Sequence, residues 1–171
     1  MNFRSSPQYF GFLLYFVDLI TKLGTHLYIP LMSSSSPFYP YGGIAVFENI
    51  LGIEFSICHK TNTGAAWGLF SEYQFYLLAF RICLVAAMVA YLIFFNKNPA
   101  YRLPLIFIVA GAIGNITDAF IYGHVVDMFN FVLWGYNYPV FNVADSAISI
   151  GVVLLMFYTF RDNEKKFEAI G

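Results

Sequence analysis

Four stretches of this chain are each long and apolar enough to cross a lipid bilayer, and nothing else in the sequence limits its fold as strongly. A spanning helix needs about 20 predominantly apolar residues, because every backbone amide in the hydrocarbon must be bonded internally. The stretches cover residues 9–28, 73–95, 103–120 and 141–160, and the remainder reads as connector. Composition agrees: 59% of residues are hydrophobic and 11% charged, against roughly 45–50% and about 25% in soluble domains. An ordinary soluble fold is excluded, and so is a disordered chain. The net charge of −1, with nine scattered Lys and Arg, offers no track for a phosphate backbone, so no nucleic-acid partner is expected. Cys58 and Cys83 form neither a disulfide framework nor a thiolate metal cluster.

The first stretch lacks a small-residue cleavage site and carries Asp18 and Lys22, so it reads as a retained span rather than a cleaved leader. Arg4, Lys97, Arg102, Arg161, Lys165 and Lys166 fall on one side of the four spans and only Lys60 in a connector on the other. The excess of basic residues orients both termini to the cytoplasm. The outer connector, residues 29–72, alternates Leu51, Ile53, Phe55 and Ile57 with Gly52, Glu54, Ser56 and Cys58, which is strand periodicity with one oily face. The serine run at 33–36 and Gly42-Gly43 break it. The expected class is an all-α integral membrane protein: four transmembrane helices with a small amphipathic β-sheet cradle on the outer side, forming one domain over residues 1–171.

Ionisable residues inside a span are expensive and by default mark a partner or a function. In span one, Asp18, Thr21, Lys22 and Thr25 share a helix face, and Asp18 can pair with Lys22. Gly111, Asn115 and Asp118 share a face near the outer end of span three, and small residues there permit close packing. Span four opens with Asn142, Asp145, Ser146 and Ser149 on one face. Spans three and four run antiparallel, so their stripes can meet at one depth, with His124 and Asp127 between them. The aspartates Asp118, Asp127 and Asp145 then gather at the outer interface with no serine paired to an evident histidine base. Two carboxylates close together in a low-dielectric site share a proton, so one can act as base and the other as acid. The stripes alone fit either a hydrolytic dyad or a path for ions or protons, and a noncatalytic membrane assembly partner is a third reading.

Five segments carry a resemblance: Asp18-Leu-Ile-Thr-Lys22, Asn62-Thr-Gly-Ala-Ala, Gly111-Ala-Ile-Gly-Asn-Ile-Thr-Asp118, Gly123-His-Val-Val-Asp127 and Phe141-Asn-Val-Ala-Asp145. In this order and within four spans, the chain resembles the bacterial lipoprotein signal peptidases (signal peptidase II). The resemblance implies an intramembrane aspartic endopeptidase that needs no cofactor or metal. It would remove the signal peptide from diacylglyceryl-modified prolipoproteins just before the lipidated cysteine. By motif the catalytic pair falls on Asp127 and Asp145, with Asp118 a structural hydrogen-bonding partner. Asn115 and Asn142 match positions lining the pocket, Asn62 one on the substrate side, and Asp18 and Lys22 the first motif. The implied partners are the lipid-modified prolipoprotein and membrane lipids, the implied location is the bacterial inner membrane, and the chain is expected to act as a monomer. The chain departs from the family at Ala119, where arginine is usual, and at Trp67, where phenylalanine is more usual. Arg81, a charge inside span two, is a candidate to supply the cation missing beside Asp118. His124 is expected to be a packing or hydrogen-bonding residue. The rival reading is a small ion or proton-coupled transporter, which would spread ionisable residues over several depths.

Overall fold

The computed structural model describes residues 7–32, 36–63 and 71–168. Arg4, Trp67, residues 33–35 of the serine run and residues 64–66 of the second motif lie outside them. Four helices form where the apolar stretches lie: α1 (Gln8–Tyr28), α2 (Gln74–Ala90), α3 (Arg102–Ile121) and α4 (Val143–Glu168). A π-helical turn, Tyr91–Phe95, extends α2 and closes with a bond from Asn96 N–H to Tyr91 O at 2.8 Å. α4 outruns the expected end at residue 160, because good helix formers such as Arg161 and Glu164 continue it past the apolar stretch.

The turn between α2 and α3 is short and capped. Asn98 accepts from Ala100 N–H at 3.0 Å, Pro99 opens a 3-10 turn, and the Asn98 amide donates to Asp162 near the end of α4. The carboxyl ends of α2 and α4 and the start of α3 therefore share one end of the bundle. α3 sits at the centre and packs against the other three helices through Leu105, Ile108, Val109 and Ala110. Its approach to α4 requires missing side chains: a Cβ on Gly111 would collide with Ala144 O, and one on Gly151 would sit 2.7 Å from Pro104 O. The outward surfaces are apolar, with Phe12 73%, Phe75 76% and Phe157 58% exposed. In water, apolar patches of this extent are a liability, and hydrocarbon is the solvent that suits them.

At the other end of the bundle lies an antiparallel sheet in the order β1 (Ile44–Ile50), β2 (Ile53–Asn62), β3 (Val125–Leu133) and β4 (Tyr136–Asn137). This corrects the expected class in two ways. The protein is not all-α, and two of the four strands come from the segment between α3 and α4, which reads in the sequence as connector. β3 is rich in Val and Phe, has high strand propensity, and is closed by a turn at Trp134 and Gly135, both at positive φ. Leu51 is also displaced from its expected strand, because Leu51 and Gly52 (φ 56° and 79°) form the β1–β2 turn.

The alternation from Ile53 onward holds, but its buried side is the small and polar one. Ser56 and Cys58 are buried, while Ile53, Phe55 and Ile57 are half-exposed. The half-exposed face carries an aromatic ladder in which Phe55 stacks on Phe131 at 4.3 Å and Phe131 on Phe141 at 5.9 Å. Pairing slips between Ile57 and Lys60, where β2 spends three residues against two of β3. This bulge sets Lys60 opposite Asp127 and Asn62 opposite Val125. Bulges characteristically re-aim side chains beside active sites.

Candidate active site

The site is built on the first turn of α4. Asn142 precedes the helix, and its Oδ1 accepts from Asp145 N–H at 2.8 Å while Asp145 Oδ2 accepts from Asn142 N–H at 3.3 Å. This reciprocal capping box satisfies two of the amides that every helix start leaves open, and it holds the Asp145 carboxylate still. A third amide, Ala144 N–H, donates to Asp18 Oδ1 of α1 at 2.8 Å. A carboxylate in that position is also favoured by the positive end of the helix dipole. Gly114 makes this contact possible, since a side chain there would strike the Asp18 carboxylate.

Beneath this turn lies an ionic cluster. Lys22 is fully buried, with its Nζ 2.7 Å from Asp18 Oδ2, 3.0 Å from Asp118 Oδ2 and 2.9 Å from Asn115 Oδ1. The i, i+4 pair expected in span one is thus made, and Lys22 is the cation seated on Asp118. Asp118 Oδ2 also accepts from Val126 N–H at 3.0 Å, which ties α3 to β3. An ammonium can only donate, so Lys22 fixes the Asn115 amide with its oxygen inward. The Asn115 Nδ2 then points at Asp145 Oδ1, 2.8 Å away.

Asp127 reaches the same place from the sheet. Its Oδ1 accepts from Asn142 Nδ2 at 2.8 Å and its Oδ2 from Asn62 Nδ2 at 3.2 Å. Asn142, with no exposure at all, therefore touches both carboxylates and also donates toward Asn115 Oδ1 at 3.2 Å and Val126 O at 3.3 Å. Asp127 is 2% exposed. Burial above all, then the negative charge of Asp145, pushes its pKa up to about 7, against the opposing hydrogen bonds from Asn62 and Asn142. Asp145 is only half-buried.

Two cavities meet at the pair. One, of about 710 Å³, lies over the sheet and is lined by Asp127, Lys60, Thr61, Asn130 and Asn137. The other, of about 510 Å³, opens between the helices and is lined by Asp145, Arg81, Asn115, Ser146 and Ser149. Asn62 and residues 138–140 form a wall common to both. Arg81 thus borders the carboxylate pair, and its charge interacts with both Asp145 and Asp127. Of the residues singled out in the sequence, Asp18, Lys22, Asn62, Asn115, Asp118, Asp127, Asn142 and Asp145 join one hydrogen-bonded network.

His124 lies beside Tyr122, with ring centroids 6.2 Å apart. Burial, reinforced by His59 and His26, lowers its proton affinity. Cys58 is held as a thiol, its pKa pushed up to about 11 chiefly by burial. The sequence reading missed the capping box, although Asn142-Val-Ala-Asp145 has its spacing. It also missed the Asp18 contact with α4 and the wall at 138–140.

Four apolar helices with two carboxylates bridged by Asn142 at one end of the bundle have the parts that an aspartic-type peptidase of the membrane requires. Within that class the relationship is specific, because the family model described as signal peptidase (SPase) II matches residues 10–161, and the chain belongs to this family. It is 35% identical over 158 residues to the lipoprotein signal peptidase of Chlamydia felis, covering 89% of this chain and 90% of that one. It is 33% identical over 170 residues to that of Chlamydia trachomatis serovar D, covering 97% and 98%. Two solved structures, each described as a bacterial membrane enzyme, share the fold. One has a TM-score of 0.80 at 25% identity, covering 96% of this chain and 93% of that one. The other has a TM-score of 0.73 at 27% identity, covering 94% and 96%. The protein is a multi-pass bacterial membrane enzyme, and the transporter reading is set aside.

Proposed function

We propose that the chain removes the signal peptide from diacylglyceryl-modified prolipoproteins, cutting on the N-terminal side of the lipidated cysteine, with Asp127 and Asp145 as the catalytic pair. The observation that carries this reading is Asn142, which bonds to Asp127 at 2.8 Å and exchanges two bonds with Asp145. One buried residue thereby spaces two carboxylates that come from different elements, its side-chain amide holding Asp127 and its backbone N–H holding the Asp145 carboxylate.

The pair shares one proton, resting on buried Asp127. Asp145, half-buried and bordering a cavity, takes a proton from water as the water oxygen attacks the scissile carbonyl carbon. Asp127 protonates the carbonyl oxygen. The C–N bond of the resulting gem-diol then breaks, the cysteine amine leaves with the proton held by Asp145, and one diol hydroxyl returns a proton to Asp127. Arg81 borders the pair as a cation facing the developing oxyanion or the substrate backbone. Asp18, Lys22, Asn115 and Asp118 act as positioning residues, and Asn62 holds Asp127 on the substrate side.

The site faces the outer leaflet and both termini face the cytoplasm, a reading supported by Lys97, Arg102 and Arg161 lying at the end of the bundle opposite the sheet. Residues 1–171 form one membrane-embedded peptidase domain. It acts as a monomer, a reading supported by one chain holding both carboxylates and their partners. Its substrate arrives pre-oriented by its own signal helix and lipid, which converts binding into rate.

The test is cleavage of a lipidated and an unlipidated precursor by the reconstituted enzyme. Cleavage of the lipidated form alone, lost in both Asp127→Asn and Asp145→Asn, is expected. Parental turnover by either variant would overturn the assignment.

A further inference from the structure

Each carboxylate borders a different cavity, and this divides the substrate. A peptide bond clasped between Asp127 and Asp145 must send one flank into the cavity between the helices and the other into the cavity over the sheet. The inter-helix cavity is walled by α2, α3 and α4, which suits the helical, membrane-borne signal peptide. The flank over the sheet is then the start of the mature lipoprotein, beyond the cysteine. That cavity carries the hydrogen-bonding side chains of Thr61, Asn130 and Asn137 beside its apolar lining, groups that can hold the backbone of an extended peptide.

Its charge comes from Lys60. The β2 bulge makes Lys60 the cross-strand partner of Asp127, and side chains of directly paired residues point to the same face. Lys60 lines the cavity, is exposed, and makes no ion pair with a carboxylate among the described residues. An extended chain advances about 3.3 Å per residue. The Lys60 ammonium, one strand away from Asp127, is therefore in range of the second to fourth residues of the mature chain.

We infer that the cavity over the sheet is a binding site for the first residues of the mature lipoprotein, and that Lys60 selects for acidic side chains two to four positions along it. This rests on the proposed reaction, whose failure is separately visible as absence of cleavage.

The test uses the reconstituted full-length enzyme and lipidated precursors identical except for Asp, Ser or Lys at mature positions 2–4. An exposed pair contributes about 0.2–1 kcal/mol, so a preference for Asp over Lys of about 1.4- to 5-fold in kcat/KM is expected, carried by KM. It shrinks in 0.5 M salt. In Lys60→Glu the order reverses, and in Lys60→Gln it flattens. Equal rates for the three precursors with the parental enzyme would overturn the inference. So would a Lys60→Glu effect that is the same for every precursor and tracks the anionic lipid content of the vesicles, since Lys60 would then be reading headgroups.

Discussion

Lys22→Met tests whether the ionic cluster beneath the carboxylate pair supports the site. Lys22 has 0% exposure, and its two carboxylate partners, Asp18 and Asp118, have 2% and 1%. Removing the ammonium leaves two buried carboxylates facing one another, and breaking a buried pair from one side costs about 3–5 kcal/mol. The companion variant Lys22→Met/Asp118→Asn restores the cluster's net charge to that of the parent, while Asp18 keeps its bond from Ala144 N–H. It should recover roughly half of the loss, a coupling of the size found between contacting charges. Activity should not recover with it, because nothing then fixes the Asn115 amide and its donation to Asp145. Chemical unfolding in detergent, read beside cleavage of a lipidated precursor, separates the two effects. A single variant within about 1 kcal/mol of the parent, or a double variant as unstable as the single, would refute the role given to Lys22.

Two further outcomes follow from the site. Asn142→Ala removes the cap of α4 and the side-chain donor to Asp127, so it should cost about 1–2 kcal/mol in stability and at least about 100-fold in kcat; a normal kcat would show that the Asn142 side chain does not position the pair. The pKa of Asp127 is raised from 3.8 to about 7, so the folded state holds its proton more tightly than the unfolded state. The associated stability is complete below about pH 4 and is lost as pH rises through about 7, at up to about ten-fold in the folding equilibrium per pH unit. Asp127→Asn should flatten that slope, and cleavage by the parent should fall on the basic side of about pH 7; rates constant to pH 9 would contradict the shared proton.

Much of this architecture was legible because membrane physics leaves few choices. Twenty apolar residues have one use, and Asp18, Lys22, Asn115 and Asp118 stand out in spans where charge is costly. β3 was not legible as a strand, because its hydrophobic run carries Asp127 and Asn130 among valines and phenylalanines and lies between two spans, where a connector is the simpler reading. Arg81, the one charge in span two, invites pairing with Asp118 on sequence grounds, whereas the i, i+4 spacing pairs Lys22 with Asp18 alone. One ammonium serves both carboxylates, and helix periodicity reports contacts within α1 but not those across to α3. The inverted burial of β2 was hidden for a similar reason: which face of a strand is covered depends on what packs above it.

The two acidic groups of the pair have different origins, one carried by a strand and the other by a helix, and Asn142 joins them only when sheet and bundle are docked. A chain with its helices in the bilayer but its hairpins unpaired holds only the Asp145 half of the pair. On the proposed chemistry, proteolytic competence requires that docking, so a copy whose sheet has not yet docked cannot cut neighbouring membrane proteins.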